Sequence, residues 1–203
     1  MFKIIGITGG VGSGKSRILS FLEEEYGAHI IMADEVGRRL MCPGTECFDN
    51  IVKSFGTEVL KNDGELDRSM LSQRIFNNEE ERQLLNSIVH PAVKKDILDE
   101  IEALRQQNDK DCLIVIEAAL LIEDRYDLIC DELWYIYAPK ELRIERLMSS
   151  RGYTRSKCLS IMKNQLGDRA MRAACQAVIN NSCDFEYTKK QLKKEYLRIM
   201  GEM

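Results

Sequence analysis

Residues Gly9-Gly10-Val11-Gly12-Ser13-Gly14-Lys15-Ser16 satisfy the pattern G-x-x-x-x-G-K-[ST], and their chemistry is that of a phosphate cradle. Glycines let consecutive backbone N–H groups turn inward around phosphate oxygens, and a helix that starts at the end of the loop adds the favourable end of its dipole. Lys15 would then reach the β- and γ-phosphates, and the Ser16 hydroxyl would complete a Mg²⁺ shell. Arg17 follows at once and adds a further cation. A nucleoside triphosphate is the expected ligand.

The loop does not say where the phosphate goes, because GTPase switches, ATP-driven machines and kinases all use it. A GTPase needs a base-reading N-K-x-D after a strand, and the chain has none. "DEVG" at Asp34–Gly37 matches D-x-x-G, yet two fixed residues are a weak signal. A kinase needs an acceptor pocket, a base and cations that close over the triphosphate. Asp34 falls at the expected carboxyl end of a strand, the edge where ligands bind in such sheets. A carboxylate there can take the proton of an attacking hydroxyl, worth about 10² to 10⁴ in rate. Its alternative role is to N-cap a helix from Glu35 onward, and the two roles can coexist. Glu117, after "LIVI", would hold Mg²⁺ through water or orient Lys15; a plain polar strand end is the alternative. Arg143, Arg146, Arg151, Arg155, Arg169 and Arg172 gather around a helix-like run, where guanidinium groups on a closing lid would offset charge on the transferred group. Taken singly, each reads more readily as an ordinary surface residue than as a lid cation.

These residues need elements to position them. "FKIIGIT" (Phe2–Thr8) is a β-branched run that suits a strand buried on both faces. Ile18, Leu19 and Leu22 then follow at helical spacing over Lys15–Glu25. "AHIIM" (Ala28–Met32), "CLIVIEAALLI" (Cys112–Ile122) and "LWYIYA" (Leu133–Ala138) read as further strands with helices around them. This is α/β alternation with a mostly parallel sheet. From about Pro43 to Gln107 no strand stands out; helices broken by "NDGELD" (Asn62–Asp67) and by Pro91 read as an inserted lobe. Lys189, Lys190, Lys193 and Lys194 mark a solvated helix face near the C-terminus.

The chain has 203 residues, 44% hydrophobic and 31% charged, enough for one substantial core. Its formal net charge of −4 argues against a nucleic-acid-gripping protein, which needs a field of the opposite sign. Seven scattered cysteines with no CxxC pair read as reduced thiols of a cytosolic protein. No apolar run approaches about 20 residues, so a soluble, cytoplasmic protein without a membrane segment is expected.

"GITGGVGSGKS", "MADEVGR", "PGTECF", "VKSFGTEVLKNDGELDRSML", "NSIVHPAV", "EAALLIE" and "INNS" run along nearly the whole chain in the order of dephospho-CoA kinases, which the sequence therefore resembles. The resemblance implies transfer of the ATP γ-phosphate to the ribose 3′-hydroxyl of dephospho-CoA, with Mg²⁺. It also implies roles. Gly9–Ser16 match the ATP phosphate site and Asp34 the second carboxylate of a D-A-D, the proposed base. Arg38 matches the arginine after that motif, and His90 and Pro91 an H-P pair near the acceptor lobe. Lys94 stands where an arginine is more usual, Met32 where the first Asp would be, and Glu117-Ala118-Ala119-Leu120-Leu121 where D-x-P-L-L is usual. Arg146 matches a lid arginine whose partner four residues on falls on Ser150, beside Arg151; Asn180 replaces a common Asp, while Asn181 and Ser182 fit.

The complete reading is an α/β P-loop NTPase of nucleotide-kinase-like, three-layer type with a mainly parallel five-stranded sheet. Its core covers about 1–42, 108–138 and 173–203, its helical acceptor-binding lobe about 43–107 and its lid about 139–172. The catalytic set is Asp34, Lys15, Arg146 and Arg151; Gly9–Arg17 would bind ATP, with Ser16 on Mg²⁺. Asp34, Arg38, His90, Pro91, Lys94, Glu117 and Leu120 would bind dephospho-CoA, in a protein expected to be a monomer. The runners-up are a kinase for another small nucleoside or nucleotide, and a nucleotide-dependent regulatory switch.

Overall fold

A computed structural model of the chain describes residues 1–107 and 111–201, so the start of the expected core segment at 108 lies outside the described residues. Five strands, β1 (Phe2–Thr8), β2 (His29–Met32), β3 (Cys112–Glu117), β4 (Glu132–Tyr137) and β5 (Ala177–Asn180), form one parallel sheet of order β2-β3-β1-β4-β5. Ile4 lies opposite Ile114 in β3, and Gly6 lies opposite Ile116 on one side and Leu133 in β4 on the other. β1 thus has a partner along both edges, and its carboxyl end delivers the glycine loop at the middle of the sheet. The chain divides into two compact units, one of 1–31 with 111–201 and one of Met32–Gln107.

In the first unit β1, β3 and β4 are buried on both faces, and alternate residues point to each side, as a period of two requires. Ile5, Ile7, Val115, Trp134, Ile136 and Ile179 share one core with Ile18, Leu19 and Leu22 of α1 (Lys15–Tyr26). Leu192 and Ile199 from the C-terminal helix (Phe185–Ile199) complete it. On the opposite face, a Cβ placed on Gly6 would lie 2.7 Å from Leu133 and 2.9 Å from Leu121, so β1 has no room for a side chain there. The apolar run Cys112–Ile122 does not stay extended: β3 ends at Glu117, and the chain turns through Leu120–Tyr126, where Asp124 and Tyr126 donate backbone N–H groups to Leu120 and Leu121.

The second unit contains α2 (Ala33–Leu40), α3 (Glu46–Phe55), α4 (Arg68–Asn77) and α5 (Glu79–Gln107). Thr45 caps α3 through Phe48 N–H, and Asp67 caps α4 through Ser69 and Met70. Asn78 caps α5 through Glu80 and Glu81. "NDGELD" folds as a tight hairpin in which Leu60 pairs with Leu66 and Lys61 N–H donates to Glu65. Phe48, Ile51, Phe55, Val59, Leu66, Leu71 and Leu85 close a core of their own.

Pro91 does not break the helix, contrary to the expectation from its type: α5 runs through it for 29 residues. The lost N–H and ring clash cost about 3 kcal/mol. Leu85, Val93, Ile97 and Ile101, all buried on that helix, offset this at about 1.5 to 3 kcal/mol each.

The remaining helices belong to the first unit: α6 (Lys140–Arg151), α7 (Arg155–Lys163), α8 (Asp168–Ala174) and α9, the C-terminal helix already given. α9 is tied to β4 by Arg198, whose two terminal nitrogens reach the Glu132 oxygens at 2.7 and 2.5 Å. Trp134 Nε1 donates to the same carboxylate at 3.1 Å. Chiefly through Arg198, Glu132 is held below its ordinary value of 4.5. Stability from this pair is full above that value and is lost as pH falls through the depressed one. Arg198→Met should lower the unfolding free energy by about 1 kcal/mol at pH 7, a modest figure because Arg198 is part-exposed. In urea titrations the gap to wild type should narrow once the pH falls below 4.5; a gap independent of pH would show that packing, not charge, is lost.

Candidate active site

The glycine loop leaves β1 and enters α1, and its shape is held by side chains from distant parts of the first unit. Gly14, the residue before the helix, has φ of 93°, a left-handed conformation that favours glycine. A Cβ there would stand 2.3 Å from Asn181 Nδ2, which itself donates to Ser13 O at 2.7 Å. Asn181 is buried, and its Oδ1 accepts from Thr188 Oγ1 of α9 at 2.9 Å. Arg146 from α6 spans the same junction, donating to Ser13 O at 3.2 Å and to Asn181 O at 2.8 Å. At Gly10 a Cβ would fall 2.0 Å from the Arg143 guanidinium, which lies against the loop and donates through Nε to Val11 O at 2.8 Å.

The electrostatics of the loop are those of an anion site. Lys15 Nζ donates to Gly9 O at 2.6 Å and pairs with Glu117 at 3.4 Å, so the buried strand-end carboxylate aims the ammonium along the loop. Three more cations, Arg17, Arg143 and Arg146, have no carboxylate within ion-pair distance among the described residues. Arg17 stacks on the Phe185 ring at 3.9 Å. Burial, and then the nearby charge of Arg17, lowers the Arg146 guanidinium from its ordinary range, while burial lowers that of Arg143. Among the described residues, Ser13 Oγ is the buried side-chain polar atom left without a hydrogen-bond partner. A surplus of guanidinium charge gathers around one loop, and a polyphosphate is the kind of anion that would balance it.

A family model described as dephospho-CoA kinase matches residues 3–186. The dephospho-CoA kinase of Geobacillus kaustophilus is 39% identical over 190 residues, covering 93% of this chain and 92% of its own. That of Carboxydothermus hydrogenoformans is 35% identical over 189 residues, covering 93% and 90%. The chain belongs to the dephospho-CoA kinase family. A solved structure from Thermus thermophilus superposes with a TM-score of 0.81 at 26% identity over 97% of both chains. The fold is also that of the dephospho-CoA kinase of Campylobacter jejuni, with a TM-score of 0.70 at 21% identity over the full length of both.

Dephospho-CoA kinases are ATP-dependent transferases, so use of a nucleotide follows from membership. In the first unit the structure brings Gly9–Ser16, Arg17, Glu117 and Arg146 to one place. Leu120 lies just past β3 on the turn, 40% exposed. Arg151 is the exposed last residue of α6, five positions and about 140° around the axis from Arg146. In the second unit, Asp34 and Arg38 are exposed one turn apart on α2; Arg38 O accepts from Arg68 and from Cys42 Sγ. Asp34 is not the N-cap. The helix starts at Ala33, directly out of β2 with Met32 as its cap, so Asp34 stands in the first turn, where the helix dipole still favours a carboxylate. His90, Pro91 and Lys94 occupy successive turns of α5.

Sequence reasoning named Arg143 only as one of six arginines in the lid run and did not name Gln165 or Thr188. Asn181 carried a signal through "INNS", and Arg143 through the arginine-rich run. Gln165 carried none, being one amide in a polar stretch. Asn181→Ala would leave Ser13 O and Thr188 Oγ1 short of a partner in a buried junction, at a cost of about 2 kcal/mol. Chemical denaturation should read that loss, together with weaker nucleotide binding; a variant as stable as wild type would mean that Arg146 alone holds the junction.

Proposed function

We propose that this protein transfers the γ-phosphoryl group of ATP to the ribose 3′-hydroxyl of dephospho-CoA, giving CoA and ADP. The observation that carries the reading is the loop itself: a lysine aimed by Glu117, and three guanidiniums without carboxylate partners among the described residues. Membership of the dephospho-CoA kinase family supplies the acceptor.

In this reading the loop Gly9–Ser16 binds the phosphates of ATP through its backbone N–H groups other than those of Val11 and Ser13, which Gln165 and Gly10 O take. Lys15 has three N–H donors; Gly9 O and Glu117 take two, and the third lies between the β- and γ-oxygens. Ser16 and Glu117 offer hydroxyl and carboxylate oxygens, the donor set that suits Mg²⁺, with Ser16 as the direct ligand. Such an ion would supply positive charge against that developing on the phosphate oxygens. Asp34 accepts the proton of the 3′-hydroxyl as its oxygen attacks the γ-phosphorus and ADP leaves in line. Arg146 offsets the charge on the transferred group, and Arg151 joins it from the end of α6.

The segment of about 43–107 serves as the acceptor-binding lobe. His90, Pro91 and Lys94 on α5, Arg38 on α2 and Leu120 after β3 contact the acceptor. Lys94 contributes charge without the planar fork of an arginine, so it holds a phosphate as a point charge. The segment of about 139–172 serves as the lid. We take the protein to act as a cytoplasmic monomer.

ADP release with Mg-ATP, with and without dephospho-CoA, tests the assignment, with the mass of the product checked for one added phosphoryl group. Acceptor-dependent turnover to CoA is expected. Asp34→Asn should then lower kcat by about 10² to 10⁴ while leaving ATP binding intact. Turnover that ignores dephospho-CoA but responds to nucleosides would point to another acceptor.

A further inference from the structure

Val11, at the tip of the glycine loop, has both of its backbone polar groups engaged by side chains far away in sequence. Its N–H donates to Gln165 Oε1 at 3.0 Å, and its carbonyl accepts from Arg143 Nε at 2.8 Å. Arg143 also donates to Gln165 Oε1, at 3.1 Å, so one amide oxygen receives both the loop and the arginine. The three groups form a closed clasp: loop peptide, guanidinium of α6, and an amide from the connection between α7 and α8.

We infer that Gln165 is a positioning residue for nucleotide binding, setting the Val11 peptide, and with it the phosphate loop, in its anion-binding shape. The inference rests on the ATP reading of the loop and goes further, to a residue that touches no phosphate. Four of the eight loop residues are glycine, so the free loop samples many conformations unless something selects one. Packing acts on one side only: the Val11 side chain rests against the cluster of Ile144, Leu147 and Cys158. Arg143 and Gln165 help to wall a cavity of about 570 Å³, also lined by Tyr137, Lys140 and Asp168, so the clasp has open space behind it rather than a filled core. Hydrogen bonds are what set the orientation of the Val11 peptide. The amide oxygen also fixes the guanidinium in the plane that keeps Nε on the Val11 carbonyl, and the Arg143 side chain covers Gly10, where no Cβ fits.

A loop that is competent only part of the time binds its ligand more weakly in proportion to that fraction. Losing the acceptor should therefore appear in nucleotide affinity, with little effect on the chemical step. Gln165→Met keeps the length and volume but offers no strong acceptor. It should raise the KM for ATP and the Kd for Mg-ADP about tenfold, as loss of one part-buried hydrogen-bond acceptor warrants. Both kcat and the KM for the acceptor should stay within about threefold of wild type. Gln165→Glu retains an oxygen that accepts from Val11 N–H and Arg143, whose charge it meets, and should restore the nucleotide affinity to within about threefold.

Calorimetric titration with Mg-ADP, which needs no acceptor, separates the possible failures. If wild type binds Mg-ADP and Gln165→Met binds it equally well, the positioning role is overturned. It is overturned as well if Gln165→Glu is as weak as Gln165→Met, or if kcat falls in step with melting temperature while KM for ATP does not move. If wild type itself binds no Mg-ADP, the ATP reading of the loop fails first. Should Gln165→Met not fold, Gln165→Leu replaces it in the same comparison.

Discussion

Backbone N–H groups that converge on an anion hold like partial charges towards one another, and a glycine-rich segment left to itself does not stay in that arrangement. Everything around the loop of this protein answers that constraint. β1 is paired along both edges and packed on both faces, so the chain enters the loop from a fixed point. α1 is anchored by Ile18, Leu19 and Leu22, so it leaves to a fixed point. In between, Val11 and Ser13 are held by polar side chains from α6, from the α7–α8 connection and from the end of β5. The Val11 and Ser13 carbonyls take most of these bonds, while the Val11 N–H goes to Gln165 and the Ser13 N–H to Gly10 O, so it is the other N–H groups of the loop that are offered to a ligand.

The arginines of the chain divide by what neutralises them. Arg198 grips Glu132 and Glu195, and Arg74 grips Glu81 through both carboxylate oxygens; these fasten helices to their neighbours. Around the loop the guanidiniums of Arg17, Arg143 and Arg146 meet, among the described residues, carbonyls, an amide and an aromatic face. Carbonyl oxygens orient a cation without cancelling its charge. The loop surroundings therefore carry a net positive field that costs folding stability and is relieved by an anion, the usual exchange of stability for function at a binding site.

The parts of this fold legible in the sequence are those with a single strong signal. "FKIIGIT" and "LWYIYA" become strands because β-branched and aromatic residues run together between turn residues, and the glycine loop is set between strand and helix as its pattern requires. β5 escaped notice because four residues, with Val178 exposed and only Ala177 and Ile179 buried, are too short for a period of two to register. "CLIVIEAALLI" was read too long because an apolar run does not distinguish a strand from the buried turn that follows it. Pro91 was read as a break because local cost is visible in a sequence, whereas the burial that offsets it along α5 is not. Asp34 was legible as a carboxylate near a strand end, but its exact place in the helix depended on α2 starting without a polar cap. Gln165 was beyond reach, since its importance lies entirely in what it touches.

That last case has a structural cause. Gln165 and Arg143 stand 154 and 132 residues from Val11, and Asn181 stands 168 from Ser13. Local propensity can build the strand, the loop and the helix, but the shape of the loop is completed only when α6, the α7–α8 connection and the end of β5 have come into place. The linkage runs both ways. A ligand that binds only the completed loop stabilises the contacts that complete it, by an amount set by its concentration relative to its dissociation constant. Nucleotide binding should therefore protect backbone amides on α6 and at the β5–α9 junction as strongly as those of the loop, because the same hydrogen bonds hold all of them.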